Sequence, residues 1–221
     1  MTDPLNRSRW ILAALMSALG FSVAWFASRH HLGWQAAATL SYAEVALVCG
    51  YIVWKRDRLF GCLLVFALVV GFGELPSDAF SVFAKHTLVY APGEPMIWAS
   101  PLYMPFTWVA VMVQMGFISW WLCQRMRVGV VMVILGLIGA GYVPIYEYLS
   151  HSANFYYYQN CRMLMGITPY YIILAEGLLC AALPPLVARI EERSWRWWVG
   201  LGLVESVVVY LASRLAFALV G

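Results

Sequence analysis

The sequence has few charged residues. Only 11% of its 221 residues are Asp, Glu, Lys or Arg, whereas about 25% is usual in a soluble domain. Hydrophobic residues make up 63% of the chain, which is more than one water-soluble core of this size could bury. No basic patch with interleaved polar residues points to nucleic acid. These deficits exclude an ordinary soluble domain and predict an integral membrane protein whose main partner is the lipid bilayer.

Lysine and histidine are also scarce. The two lysines, Lys55 and Lys85, lie near helix ends or in loops, so no predicted span offers the Schiff-base lysine of a retinal-binding rhodopsin. Four histidines are too few for a histidine-rich membrane desaturase or for haem held by histidines. The sequence has no nucleophile elbow, Walker loop or dinucleotide fingerprint. We therefore expect neither a metal site nor a bound cofactor.

What the sequence does contain is a series of long apolar runs. A membrane-spanning helix needs roughly 20 apolar residues, whereas a β-barrel would show alternating segments of about ten residues. The runs predict an all-α polytopic membrane protein with about seven transmembrane helices in a single domain, 1–221. The first run is too long for a typical signal peptide and is expected to stay as a helix. The predicted helices cover 10–28, 33–54, 59–84, 101–123, 128–149, 168–188 and 197–219.

Positive charge is distributed unevenly between the two predicted sides. Ten Lys and Arg residues lie in the N-terminal tail and in the loops on its side, against three in the loops on the other side. This asymmetry predicts a cytoplasmic N-terminus and an outside C-terminus, with the bacterial inner (cell) membrane as the expected location. The two longest loops, about 85–100 and 150–167, then both lie outside. Their many aromatic residues are expected either to anchor the protein at the interface or to form a lid over a site.

Six carboxylic acids lie within the predicted spans, where an unpaired charge costs several kcal/mol. At about 1.5 Å of rise per residue, four of them fall within one slab in the outer half of the membrane. This shared depth predicts a polar cavity that opens outward or into the outer leaflet. A structural role is predicted for Glu147 and Glu205. The four acids of the predicted catalytic site are Glu44, Glu74, Asp78 and Glu176.

The third run contains the densest signal, Gly-Phe-Gly-Glu-Leu-Pro-Ser-Asp at residues 71–78. Glu74 and Asp78 are four residues apart, so they share a face if the helix continues past Pro76. Two adjacent carboxyls tend to share one proton, which keeps one of them a neutral acid. The alternative is a structural kink in which the acids bond to the backbone or to Arg214, the one basic residue well inside a predicted span.

Aromatic residues occur at the same predicted depth as the acids. Their ring faces can stabilise a cation, although ordinary packing is the simpler explanation for any single one of them. The aromatic residues assigned to the predicted substrate-binding site are Tyr42, Phe72, Tyr103, Trp108, Tyr142, Tyr146 and Tyr170.

Isolated intramembrane acids and many aromatic residues in a small seven-helix chain resemble membrane-bound isoprenoid enzymes. The segment Tyr42-Ala-Glu44 is similar to the aromatic-rich second helix, with its essential Glu, of the fungal membrane-bound meroterpenoid cyclases. Those terpene cyclases also use a late acid, usually Asp, where this chain has Glu205. Five further residues are similar in order to those of the bacterial carotenoid hydratase and cyclase families: Glu74, Tyr90, Pro101, Pro105 and Trp108.

The resemblance implies acid-initiated chemistry, of the lyase or isomerase type, on an alkene or epoxide of a long isoprenoid. A protonated carboxyl in a dry, aromatic-lined pocket donates a proton, and the aromatic faces stabilise the resulting carbocation. Glu74 or Asp78 would be the donor and Glu44 or Glu176 its partner, and no diffusible cofactor is required. A small proton-coupled transporter and a non-catalytic subunit of a membrane complex are the alternative functions.

Overall fold

The computed structural model describes residues 4–221 as a bundle of α-helices with short strands in two loops. Seven of its helical segments are long and apolar enough to cross a membrane, which confirms the predicted number. The elements are α1 (Pro4–His30), α2 (Trp34–Lys55), α3 (Arg58–Gly73), α4 (Leu75–Ala79), a π-helix (Phe80–Ala84), β1 (Leu88–Tyr90), β2 (Met96–Ile97), β3 (Ser100–Pro101), α5 (Met104–Cys123), α6 (Val128–Ser152), β4 (Tyr156–Tyr158), β5 (Met163–Leu164), β6 (Thr168–Pro169), α7 (Tyr170–Val187), a 3₁₀-helix (Ile190–Glu192) and α8 (Trp195–Val220).

The first predicted helix, 10–28, begins earlier than predicted, at Pro4, whereas the two helices that follow a long loop begin later than predicted. The helix predicted over 101–123 begins at Met104, because Ser100–Pro101 pair with β2 as strand β3. The helix predicted over 168–188 begins at Tyr170, because Thr168–Pro169 pair with β5 as strand β6. In both cases the apolar run continues into a short hairpin, which a count of apolar residues does not distinguish from a helix.

The third predicted helix is interrupted at its acidic motif. α3 ends at Gly73, Glu74 occupies a turn, and α4 begins at Leu75. Pro76 has no N–H to continue the α3 ladder, but it fits the first turn of a new helix. The Asp78 amide still donates to the Glu74 carbonyl oxygen at 3.3 Å. Glu74 and Asp78 therefore lie one helical turn apart despite the break.

Close helix packing brings acids on different helices near one another. α6 and α7 form the most extensive contact between two helices of the bundle. A Cβ atom added at Gly139 of α6 would lie 2.7 Å from the Glu176 carbonyl oxygen on α7. Only glycine permits this approach, as small residues commonly do between membrane helices. The contact places Glu176 directly against α6.

The two long loops pair with each other at one end of the bundle. β1 and β4 are antiparallel, with Tyr90 opposite Tyr156, and we call residues 88–90 and 156–158 the lid. The Gln159 amide extends the pairing by donating to the Thr87 carbonyl oxygen at 2.8 Å. The sequence analysis predicted two loops on the same side of the membrane, but it did not predict strands.

The opposite end of the bundle is fastened by a buried ion pair. The Arg9 guanidinium donates to both carboxylate oxygens of Asp57, with Nε–Oδ2 and Nη2–Oδ1 distances of 2.7 and 2.9 Å. Asp57 also caps α3 by accepting hydrogen bonds from the amides of Leu59 and Phe60. Because the pair joins α1 to the start of α3, it fixes how these two helices meet.

Candidate active site

A cavity of about 140 Å³ lies beneath the lid, among α4, α5, α6 and α7. By the volume that a buried water requires, this is room for roughly ten water molecules. Four of its lining residues are carboxylic acids: Glu74, Asp78, Glu147 and Glu176. The aromatic residues of its lining are Tyr90, Tyr103, Trp108, Tyr142, Tyr146, Phe155, Tyr156 and Tyr158.

Asp78 is bonded to the first of the two long loops. The Tyr90 hydroxyl donates a hydrogen bond to Asp78 Oδ2. The Ser100 hydroxyl donates to the same oxygen at 2.6 Å. Both donors precede α5 in sequence, whereas Asp78 lies on α4. Asp78 therefore ties the first strand of the lid to one wall of the cavity.

Glu147 plays the corresponding part for the second loop. The hydroxyls of Tyr156 and Tyr158 each donate to Glu147 Oε1 over 3.4 Å, which is long for a hydrogen bond. Glu147 lies on α6, across the cavity from α4. Each strand of the lid thus contributes tyrosine hydroxyls to a carboxyl on a different wall.

Glu74 has a different environment. Its side chain is 1% exposed, and within residues 4–221 neither carboxyl oxygen accepts a hydrogen bond from a hydroxyl, amide or guanidinium group. Asp78, one helical turn away, and Glu176 are both close enough to act on Glu74 electrostatically, but within the described residues no hydrogen bond joins Glu74 to either acid. A buried carboxyl that lies beside other acids and has no donor is favoured in its neutral, protonated form. The surroundings therefore suit a protonated Glu74.

The hydroxyls of Tyr90, Tyr156 and Tyr158 act as hydrogen-bond donors because they stay protonated. Burial raises the pKa of the Tyr90 hydroxyl well above its ordinary value, and the charges of Asp78 and Glu74 raise it further. Burial and the neighbouring Glu147 likewise raise the pKa of the Tyr156 and Tyr158 hydroxyls. All three hydroxyls keep their protons at physiological pH, so they donate to the carboxyls and do not compete for protons.

Three of the four acids predicted from the sequence, Glu74, Asp78 and Glu176, line the cavity. Glu44 does not. α2 reaches the cavity at Ala37, and Glu44 lies about two helical turns further along. There its Oε1 faces α1, 3.3 Å from the position that a Cβ atom would take at Gly20. Equal predicted depth did not place Glu44 in the same space as the other three.

Four of the predicted aromatic residues, Tyr103, Trp108, Tyr142 and Tyr146, line the cavity, and three others lie outside it. Tyr42, Phe72 and Tyr170 are each more than 40% exposed on the outer surface of the bundle. Tyr42 precedes Glu44 by two residues and Phe72 precedes Glu74 by two. Residues two apart on a helix point in nearly opposite directions, so depth alone selected the wrong faces for them.

Arg214, one of the two partners that the structural alternative offered to the acids, does not reach them. Arg214 lies on the exposed side of α8, where its Nη1 donates to the Tyr210 hydroxyl at 3.2 Å. Within residues 4–221 the only ion pair is that of Arg9 and Asp57. Nor do three or more His, Cys, Asp or Glu side chains in this range converge to hold a metal ion.

The sequence analysis missed Glu147 and the lid tyrosines as site residues. Glu147 carried a readable signal, because the cavity-lining residues of α6 repeat at helical spacing and continue the face of Tyr142 and Tyr146. That face consists of Gly139, Tyr142, Val143, Tyr146 and Glu147. The contribution of Tyr156 and Tyr158 carried no comparable signal, because it depends on the pairing of two distant loops.

The sequence profile of one family, described as a domain of unknown function (DUF6989), matches residues 75–220, about two-thirds of the chain. The chain belongs to this family. The DUF6989 match includes Asp78, both lid strands, Glu147 and Glu176, whereas Glu74 directly precedes it. No curated protein and no solved structure matches the chain.

Proposed function

We propose that this DUF6989 protein is an integral membrane enzyme that acts on a lipophilic substrate of the isoprenoid class. A cavity carboxyl donates a proton to an alkene or epoxide, which leads to cyclisation or hydration. The observation that carries the proposal is Glu74, a buried carboxyl without hydroxyl, amide or guanidinium donors that lies beside Asp78 in an aromatic-lined cavity. The distribution of Lys and Arg supports a cytoplasmic N-terminus and an outside C-terminus, in a bacterial inner membrane, so that the lid lies outside.

The surroundings of the two paired acids suggest different roles. Asp78 accepts hydrogen bonds from Tyr90 and Ser100, and such donors favour a carboxylate. Glu74 has no comparable donor, and a buried carboxyl of this kind is favoured as the neutral acid. Glu74 is therefore the proton donor of this proposal, and Asp78 is its neighbouring carboxylate, held by the two hydroxyl donors.

No reagent is required other than water, which only the hydration consumes. The Glu74 proton adds to one carbon of the double bond, whose π electrons form the new C–H bond and leave a carbocation and the Glu74 carboxylate. In a cyclisation, the π electrons of a second double bond of the same substrate form a C–C bond to the cation, and a carbon next to the new cation returns a proton to the Glu74 carboxylate as an alkene forms. In a hydration, water adds to the cation through its oxygen and its released proton passes to the Glu74 carboxylate. The ring faces of Tyr103, Trp108 and Tyr146 line the space in which the cation would form.

The size and position of the cavity support a long, lipophilic substrate. At about 140 Å³, the cavity is smaller than the roughly 300–1,000 Å³ of pockets that enclose whole drug-sized ligands. Tyr142 lines the cavity and is also 46% exposed on the bundle surface. A long substrate that enters beside Tyr142 would place its reacting end among the acids. The rest of the substrate would extend into the bilayer.

The test is mass spectrometry of the apolar extract from cells that make linear carotenoids and shorter isoprenoids. Extracts of cells with the wild-type protein are compared with those of a Glu74→Gln, Asp78→Asn variant. We expect a product that differs from a host isoprenoid by one water, or an isomer of equal mass, with the wild type alone. Acid catalysis typically contributes about 10²–10⁴-fold, so the double variant should fall below detection.

A matched control uses Glu192→Gln, which alters an exposed acid of the 3₁₀-helix far from the cavity. This variant should give the wild-type product. Identical extracts from the wild type and a normally folded double variant, in a host that supplies the precursors, would reject acid catalysis by this pair.

One observation favours proton-coupled transport as a second function. Glu205 on α8 is fully buried, and within the described part of the chain its carboxyl oxygens have no hydrogen-bond partner. Glu205 does not line the cavity, but both Glu205 and the cavity residue Glu176 act electrostatically on Cys180. A further buried acid is therefore present close to the cavity. Solute uptake into liposomes that depends on a proton gradient, and that is lost in Glu205→Gln, would support transport over isoprenoid chemistry.

A further inference from the structure

Two basic residues meet at the edge of the bundle beside the end of α8. Lys85 Nζ lies 5.5 Å from the ring centroid of Phe80 and 4.7 Å from that of Phe217. Arg214 Cζ lies 5.6 Å from the same Phe80 ring. Both basic side chains are exposed. We call Phe80, Lys85, Arg214 and Phe217 the basic corner.

The charge of the basic corner is not compensated by the protein. Neither Lys85 nor Arg214 forms an ion pair within residues 4–221, and the hydrogen bond that Arg214 donates goes to the Tyr210 hydroxyl and not to a carboxylate. Arg214 lies within a helix that is apolar enough to span a membrane. An arginine on the lipid-facing side of such a helix is unfavourable unless an anionic or polar group meets it.

A local irregularity of the backbone places Lys85 in this corner. The Lys85 amide donates to the Phe80 carbonyl oxygen at 3.0 Å, the i to i+5 bond that defines a π-helix. In a regular α-helix the residue above Phe80 would be Ala84, whereas the wider π-turn brings Lys85 there. Such turns are uncommon and are frequently found at functional sites. Here the turn supplies the second positive charge beside Arg214.

We propose that the basic corner binds the phosphate of an anionic phospholipid. A guanidinium and an ammonium group are the side chains that proteins use for phosphate, and two uncompensated positive charges favour a headgroup with net negative charge. The π-helix and α8, which carry the corner, also expose apolar side chains that offer contacts to acyl chains: Phe83, Leu211, Leu215 and Leu219. The inference shares with the proposed function only the assumption that the protein is inserted in a membrane.

The test is native mass spectrometry of the purified full-length protein in detergent, titrated with phosphatidylglycerol or phosphatidylcholine. We expect the wild type to retain phosphatidylglycerol preferentially. A basic residue near a membrane surface is worth about 1 kcal/mol toward anionic lipid, so Lys85→Gln, Arg214→Gln should lower the apparent affinity about thirtyfold. An excess of inorganic phosphate should not displace the lipid, because the site also requires the acyl chains.

Two control variants make the result decisive. Lys85→Arg, Arg214→Lys keeps both charges and should keep the preference. Lys55→Gln, Arg125→Gln removes two other basic residues that stack on tryptophans at the opposite end of the bundle, and it should also keep the preference. Equal retention of phosphatidylglycerol by the wild type and Lys85→Gln, Arg214→Gln would overturn the inference, as would an equal loss in the Lys55→Gln, Arg125→Gln control. The variants of the lipid test leave the cavity acids in place, so isoprenoid turnover can be measured in them separately. The proposed function can therefore hold or fail independently of the lipid result.

Discussion

Two buried carboxyls at opposite ends of the same helix have opposite surroundings. Asp57, before α3, is 2% exposed and accepts hydrogen bonds from Arg9, from Tyr51 and from two backbone amides. Glu74, after α3, is 1% exposed and has no such donor within residues 4–221. Burial is the same, so burial alone does not distinguish the structural Asp57 from Glu74, the proposed proton donor. What distinguishes them is whether the protein supplies partners for the charged form.

The comparison predicts different effects on stability when each acid is replaced by its amide. Asp57→Asn leaves the buried Arg9 guanidinium without its counter-charge, and breaking such a pair lowers the free energy of unfolding by about 3–5 kcal/mol. Glu74→Gln replaces a neutral acid by a neutral amide of the same shape, so we expect the free energy of unfolding to be unchanged or higher. Thermal unfolding in detergent micelles measures both variants.

The two variants share a common reference, Glu192→Gln on the exposed 3₁₀-helix, which should unfold like the wild type. If Glu74→Gln unfolds as easily as Asp57→Asn, then Glu74 is held as a charged structural group. In that case the contrast between the two ends of α3 disappears, and with it the case for Glu74 as a proton donor.

The second prediction concerns the hydroxyl donors that Asp78 has and Glu74 lacks. Tyr90→Phe removes one of the two hydroxyls that donate to Asp78. A lost hydrogen bond to a charged group is worth about 1.5–3 kcal/mol, so turnover of the proposed isoprenoid substrate should fall by about tenfold to a hundredfold. The measurement is initial rate against substrate concentration, with the fall expected in the maximal rate.

The lid provides its own control for this prediction. Tyr157 lies between Tyr156 and Tyr158 on β4, is 46% exposed and does not line the cavity. Tyr157→Phe should therefore leave the rate unchanged. An equal loss of rate in Tyr90→Phe and Tyr157→Phe would mean that the lid acts through its general packing and not through its hydroxyl groups.

The smallest expected effect is a pH dependence of the loop that follows β1. Burial raises the pKa of Glu94 to about 7, against opposing contributions from the Ala91 backbone and the Tyr103 hydroxyl. The folded loop then binds the proton more tightly than the unfolded chain does. The stabilising contribution of the Glu94 proton is present below pH about 4.5 and is lost as pH rises through about 7.

Hydrogen exchange of the amides in 94–103 measures this contribution after correction for the intrinsic rate. Because the loop is near solvent, we expect only about threefold faster opening at pH 8 than at pH 5.5. Glu94→Gln should flatten the dependence. An unchanged dependence in Glu94→Gln would assign it to another group of the loop.

The sequence predicts the positions of the helices more directly than it predicts which face of each helix points into the bundle. Hydrophobic runs of spanning length predict seven helices, and seven helical segments of the described chain are long and apolar enough to span a membrane. Depth along those helices selected Glu74, Asp78 and Glu176, which do line one cavity, although their catalytic roles stay predictions. Depth also selected Tyr42 and Tyr170, which point outward. Rotation about the helix axis decides between these outcomes, and it is set by packing against neighbouring helices.

The amino-acid sequence by itself determined that this chain forms apolar helices of spanning length and the depth of each acid along them. The physical reason is local, because the rise per residue is fixed and every backbone polar group in an apolar medium must bond within its helix. Only the tertiary structure decided which acids receive hydroxyl donors. β1 and β4 are separated in sequence by α5 and α6, and their pairing sets Tyr90 opposite Tyr156. That register exists only after the helices have packed, and it bonds lid hydroxyls to Asp78 and Glu147 while none reaches Glu74.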